Sequence, residues 1–159
     1  MNAIKNVLDK IVEIFCISIM AVMTLLVTWQ VITRYFFNNP SVITEQLAQY
    51  LFVWLVLYGA AYVFGKRDHM AIVFVVEKMP LKIRRVVIVI QEIVIALFAA
   101  GVMVYGGNKT MQTQMMQKDA ALQIPMGIVY SAITFSGICI IFYAIYNIVS
   151  TLKTPVENT

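Results

Sequence analysis

Residues 14–33 read IFCISIMAVMTLLVTWQVIT, 20 residues without a single charge, closed by Arg34. As a helix rising about 1.5 Å per residue, the run spans about 30 Å, the thickness of a bilayer's hydrocarbon core. It is too long for a strand, and only a helix satisfies its own backbone hydrogen bonds in lipid. Lys5 and Lys10 precede it as the basic start of a signal peptide would, but no A-x-A cleavage pattern follows. The run therefore predicts a first membrane span that is retained.

Charges cut the rest of the chain into three more apolar blocks. Gln46–Gly65 is again 20 uncharged residues, bounded by Glu45 and Lys66. Val86–Gly107 contains one charge, Glu92, and Ala120–Leu152 is 33 residues long with none. Pro125 near the start of that last block puts the beginning of its span at Met126. The expectation is an all-α integral membrane protein, one membrane domain over residues 1–159, with spans at about 14–34, 46–65, 86–107 and 126–149.

Composition agrees. The 159 residues are 61% hydrophobic and 13% charged, with a mean hydropathy of +0.83. Soluble domains carry about 25% charged residues, so this chain lacks the side chains to cover a water-facing surface. A net charge of +4 raises the question of nucleic acid, but the basic residues flank apolar runs instead of lining a solvated face. They read as orientation signals and head-group contacts.

Nine basic residues (Lys5, Lys10, Lys66, Arg67, Lys78, Lys82, Arg84, Arg85, Lys153) fall on one side of the spans, and three (Arg34, Lys109, Lys118) on the other. The positive-inside rule then predicts both termini and the 66–85 connection in the cytoplasm. Between Asp68 and Pro80 lie seven consecutive apolar residues, Met70–Val76. That is too short to span and too apolar for a free loop, so a short interfacial helix is expected between the second and third spans. The polar stretch Asn108–Asp119 is expected to extend the third span as helix before the chain turns.

Few residues carry chemistry. Cys16 and Cys139 lie inside apolar runs without a CxxC, His69 is the sole histidine, and no nucleophile with its base, phosphate loop or metal cluster is present. An enzyme is not expected, nor a cofactor. Glu92 is a functional candidate because it is ionisable within a span. It lies about 10 Å in from Arg84 and Arg85 and shares a helical face with both. Pairing with Arg85 or another basic neighbour is the first reading, with partner-subunit contact and ion coupling as alternatives. Arg34 and Glu45 end two spans on one side of a short loop. They read as an interfacial ion pair or as a rim that meets a soluble partner. Trp29, Trp54 and Tyr35 fit aromatic belts or packing faces, and the pairs Ala61/Gly65 and Ala96/Ala100 permit close helix approach.

An ordered set of short motifs runs through the first half: Arg34-Tyr35-Phe36-Phe37-Asn38-Asn39-Pro40, Thr44-Glu45-Gln46-Leu47-Ala48, Leu51-Phe52-Val53-Trp54 and Gly59-Ala60-Ala61. Arg67-Asp68-His69-Met70 and Met79-Pro80 follow, then Leu122-Gln123-Ile124-Pro125 ahead of Val129-Tyr130. In order and spacing these resemble the small membrane subunit of tripartite ATP-independent periplasmic (TRAP) transporters, the DctQ family. Arg34, Pro40, Glu45, Gly59, His69, Pro80 and Pro125 match the pattern. Ile43 stands where the family often has an aromatic residue, and Gln46 and Val73 where it often has an acid.

The resemblance implies an accessory role in a sodium-coupled importer of carboxylated solutes, of the C4-dicarboxylate or sialic acid class. A periplasmic binding protein captures the solute, and a large membrane subunit carries the sodium and substrate sites. The small subunit packs on the large one in the bacterial inner membrane and helps dock the binding protein. The rival reading is a self-contained four-helix ion-coupled transporter, which would want an acid near midspan, whereas Glu92 is shallow. A redox-enzyme anchor would want a second histidine or a CxxC.

Overall fold

The computed structural model describes residues 2–37, 41–66 and 81–153. Pro40, His69, Pro80 and the Met70–Val76 segment expected to be an interfacial helix lie outside the described residues. Of the described residues 90% are helical, and none forms a strand. Helix α1 is Asn2–Phe36, α2 is Val42–Lys66 and α3 is Leu81–Phe98. A π-helical segment, Ala99–Gly106, joins α3 to α4, Gly107–Gln114, and the last helix is α5, Met126–Lys153. The four segments long and apolar enough to cross a bilayer are Ile4–Phe36, Val42–Lys66, Ile83–Gln114 and Met126–Leu152.

The helices pack in sequence, and the first turns of α1 also reach α5. α1 packs on α2, α2 on α5, and α5 on the third span along α3, the π segment and α4. α5 is thus the most enclosed element: 39% of its most apolar window is buried, against 11% for the first and third spans. Lipid tails are as apolar as leucine, so close fit holds the helices together more than any hydrophobic drive. Small residues supply that fit. Ala61 is fully buried, and a Cβ on Gly65 would lie 2.6 Å from the Tyr143 ring. On the other flank of α5, Gly137 receives Met103 and Gly127 receives the Met111 backbone, both too close for a side chain.

α1 is much longer than its uncharged run. Its first three turns continue as helix because their charges are used: Lys5 pairs with Asp9 at 3.1 Å and Lys10 with Glu13 at 3.6 Å, both favourable spacings on a helix. Three of the helix ends, the start of α1, the start of α3 and the end of α5, meet on one side, called here the terminal side. The start of α2 and the turn before α5 meet on the other, the turn side.

Candidate functional site

On the terminal side, α5 is tied to both flanks by polar groups. Asn147, 2% exposed, donates at 3.0 Å to the carboxylate of Glu92, 5% exposed, and so joins α5 to α3. Arg85 is half-buried on α3, seven residues before Glu92. Toward α1, buried Asp9 lies beside the buried Tyr143 hydroxyl without forming a well-aligned hydrogen bond. The Lys5 ammonium sits 5.4 Å from the centre of the Tyr146 ring, within cation–π range.

On the turn side, residues 115–125 are built around Asp119. One of its carboxylate oxygens accepts the amides of Ala121 and Leu122 at 2.9 and 2.7 Å, an Asx-type turn. The other accepts the Tyr50 hydroxyl of α2 at 2.6 Å, and Gln46 donates to that hydroxyl one helical turn earlier. These bonds hold the Asp119 carboxyl below the usual carboxylate range, the Leu122 amide contributing most and the Tyr50 hydroxyl next. Met126 donates back to the Gln117 carbonyl at 2.8 Å, and Pro125 faces Lys118 just before α5 begins. Gln123 takes the positive φ of 55° that closes the turn.

Arg34 and Glu45 are brought to the same place but not joined. Together with Gln30 and Ser41 they line one cavity of about 380 Å3 between the end of α1 and the start of α2. Among the described residues no ion pair links them. The buried Gln30 Nε2 has no hydrogen-bond partner there. Gly59 sits in α2 with nothing within 4 Å of where a Cβ would stand. Trp29 and Tyr35 are exposed near the end of α1, whereas Trp54 stacks on Tyr58 at 5.8 Å and meets Phe15 at 6.0 Å, joining α2 to α1.

The outward surface of α1 within residues 14–33 is apolar, as lipid contact requires. The first turns are different. Ile4, Val7 and Ile11 are 62%, 59% and 59% exposed and share one flank, while Lys10 and Glu13 hold a solvated pair on another. Ile4 lies about 9 Å farther along the helix than Lys10, so the apolar flank continues past the level at which charge begins. Next to it, Ile11, Val12, Phe15, Trp54 and Tyr58 line an apolar groove of about 240 Å3 between α1 and α2.

Asn147, Tyr50, Asp119 and Asp9 were not singled out from the sequence. Asn147 had a signal, the lone carboxamide after Met126 in the long uncharged run. Tyr50 had a weaker one, following Gln46 at helical spacing. For Asp119 and Asp9 nothing local separates them from ordinary loop and helix-end acids.

Four apolar helices, pinned by polar contacts near both ends, define a multi-pass membrane protein. The chain belongs to the DctQ component family of tripartite ATP-independent periplasmic transporters, whose pattern matches residues 23–154. It is a small permease subunit of a TRAP transporter, a transport component and not an enzyme. It is 30% identical over 152 residues to a Haemophilus influenzae protein that bears the name TRAP transporter small permease, covering 96% of this chain and 94% of the relative. It is 28% identical to the sialic acid TRAP transporter small permease SiaQ of Vibrio cholerae, covering 96% and 88%. A second Haemophilus influenzae small permease is 24% identical, covering 94% and 90%.

Proposed function

We propose that this subunit is a scaffold: it clasps the large membrane subunit of a sodium-coupled, binding-protein-dependent importer of carboxylated solutes and does not form the solute path. The observation that carries this reading is the flank of Ile4, Val7 and Ile11 with the adjoining groove. An apolar face inside the hydrocarbon is covered by lipid, but one that runs on beside a solvated ion pair wants protein against it. The polar groups of the spans support the same reading, since Glu92 and Asn147 serve to hold α3 on α5.

The excess of basic residues on the terminal side supports cytoplasmic termini in the inner membrane. The turn side then faces the periplasm. The helical extension α4 and the Asp119-braced turn offer a firm surface there for docking the binding protein. The name of the Vibrio cholerae relative favours sialic acid, itself a carboxylate, within the solute class. Reconstitution tests the scaffold reading. Liposomes holding this chain alone should accumulate no solute under a sodium gradient, and adding the large subunit with the binding protein should start uptake. Concentrative uptake by the chain alone would refute it.

A further inference from the structure

The first turns of α1 carry a polar contact with α5 that apolar packing does not require. We propose that Lys5 and Asp9 are positioning residues: with Tyr143 and Tyr146 they fix the register of these turns on α5 and so set the flank of Ile4, Val7 and Ile11 for the large subunit. The proposal rests on the scaffold reading above. From Phe15 onward, α1 is held on α2 by Trp54 and Tyr58, whose ring centres lie 6.0 and 4.9 Å from that of Phe15. Ahead of Phe15, Leu8 packs on the cluster of Phe64, Tyr143 and Ala144, and Val12 is buried. These two supply the apolar contact. Asp9 nonetheless places a carboxylate there, 8% exposed, and burying a charge is costly. Its pairing with Lys5 at 3.1 Å does no better than offset that cost, so stability gives no reason for it.

Register does. Lys5 and Asp9 stand one turn apart on α1, and Tyr146 and Tyr143 one turn apart on α5, which runs the opposite way. The Lys5 ammonium lies 5.4 Å from the centre of the Tyr146 ring, while the Asp9 carboxylate lies beside the Tyr143 hydroxyl. Tyr143 is itself fixed, because its ring fills the space over Gly65. A slip of one turn would set the Asp9 carboxylate against the Tyr146 ring, whose face attracts a cation and repels an anion. Polar groups specify register in this way in coiled-coil seams. Ile4 adjoins Lys5 and Ile11 stands two residues past Asp9, so such a slip would carry the flank about 5.4 Å with it.

The test reads register and assembly separately. Spin-labelled unnatural amino acids at positions 7 and 152 of the full-length chain, in nanodiscs, should give one narrow distance. Lys5→Met combined with Asp9→Leu should keep the melting temperature at or above that of the unmodified chain and broaden the distance. Its affinity for the large subunit should fall with the fraction of chains that keep the register, about tenfold where one in ten does. Asp9→Asn, which keeps an oxygen to accept from Lys5 and the Tyr143 hydroxyl, should restore the narrow distance and most of the affinity. Tyr143→Phe, which keeps the ring over Gly65, should broaden the distance as the double variant does. A narrow, unshifted distance in both the double variant and Tyr143→Phe would overturn the proposal. So would a broadened distance with unchanged affinity, or a loss of affinity that only follows a lower melting temperature. Ile11→Lys, on the flank but outside the polar contact, should abolish assembly with the distance unchanged. Full affinity in Ile11→Lys would instead refute the scaffold reading itself, and the proposal with it.

Discussion

At the scale of single residues, a short hydrogen bond joins Tyr50 to Asp119, which are 69 positions apart. Removing the hydroxyl in Tyr50→Phe should speed hydrogen exchange at the Ala121 and Leu122 amides, because the carboxylate that accepts them loses its anchor on α2. The pH dependence has a definite sign. The Asp119 carboxyl is depressed below its ordinary value of 3.8, so its contribution is complete above that pH and is lost as pH falls through the lower folded-state value. Amide protection in the turn, corrected for intrinsic rates, should be flat from neutral pH down to about 4 and fail only below. Glu92 makes a second test. Asn147→Leu should cost about 1.5–3 kcal/mol of stability, since a buried carboxylate loses a donor, and Glu92→Gln should lower stability or assembly without changing sodium dependence. Glu92 was legible in the sequence because one charge interrupts an apolar run. Its partner was not, because an asparagine 55 residues away acquires meaning only when α5 is laid against α3.

At the scale of elements, the four spans were legible because charges bracket each apolar block. What lay beyond them was less so. Lys5 and Lys10 read only as basic residues ahead of the first span, yet α1 extends through them because Lys5 pairs with Asp9 while Asp9 turns inward beside Tyr143. Nor does any periodicity announce the π segment, whose wider turn resets which side chains face α5. The glycines separate cleanly by surroundings. Gly65→Ala would drive a methyl into the rigid Tyr143 ring and should destabilise the chain by about 1–3 kcal/mol. Gly127→Ala meets the Met111 carbonyl at 2.6 Å and should loosen α4 from α5, read as a lower melting temperature. Gly59→Ala, with open space around it, should leave the melting temperature of the isolated chain unchanged or slightly higher.

At the scale of the whole molecule, α1 packs along α2 and reaches α5 only through its first turns, which leaves one flank of those turns uncovered. The sequence could signal a scaffold only through family resemblance and through the shallow position of Glu92. The face that serves it emerges only when α1 is seen to carry Ile4, Val7 and Ile11 outward beyond its own ion pair. On the scaffold proposal, this flank lies against the large subunit. A photo-reactive amino acid placed singly at positions 4, 7, 10, 11 and 13 in the assembled transporter, with adducts identified by mass spectrometry, tests it most directly. Adducts with the large membrane subunit are expected from positions 4, 7 and 11, and few from 10 and 13. Adducts with lipid alone, with a second copy of this chain, or with equal yield at all five positions would contradict it.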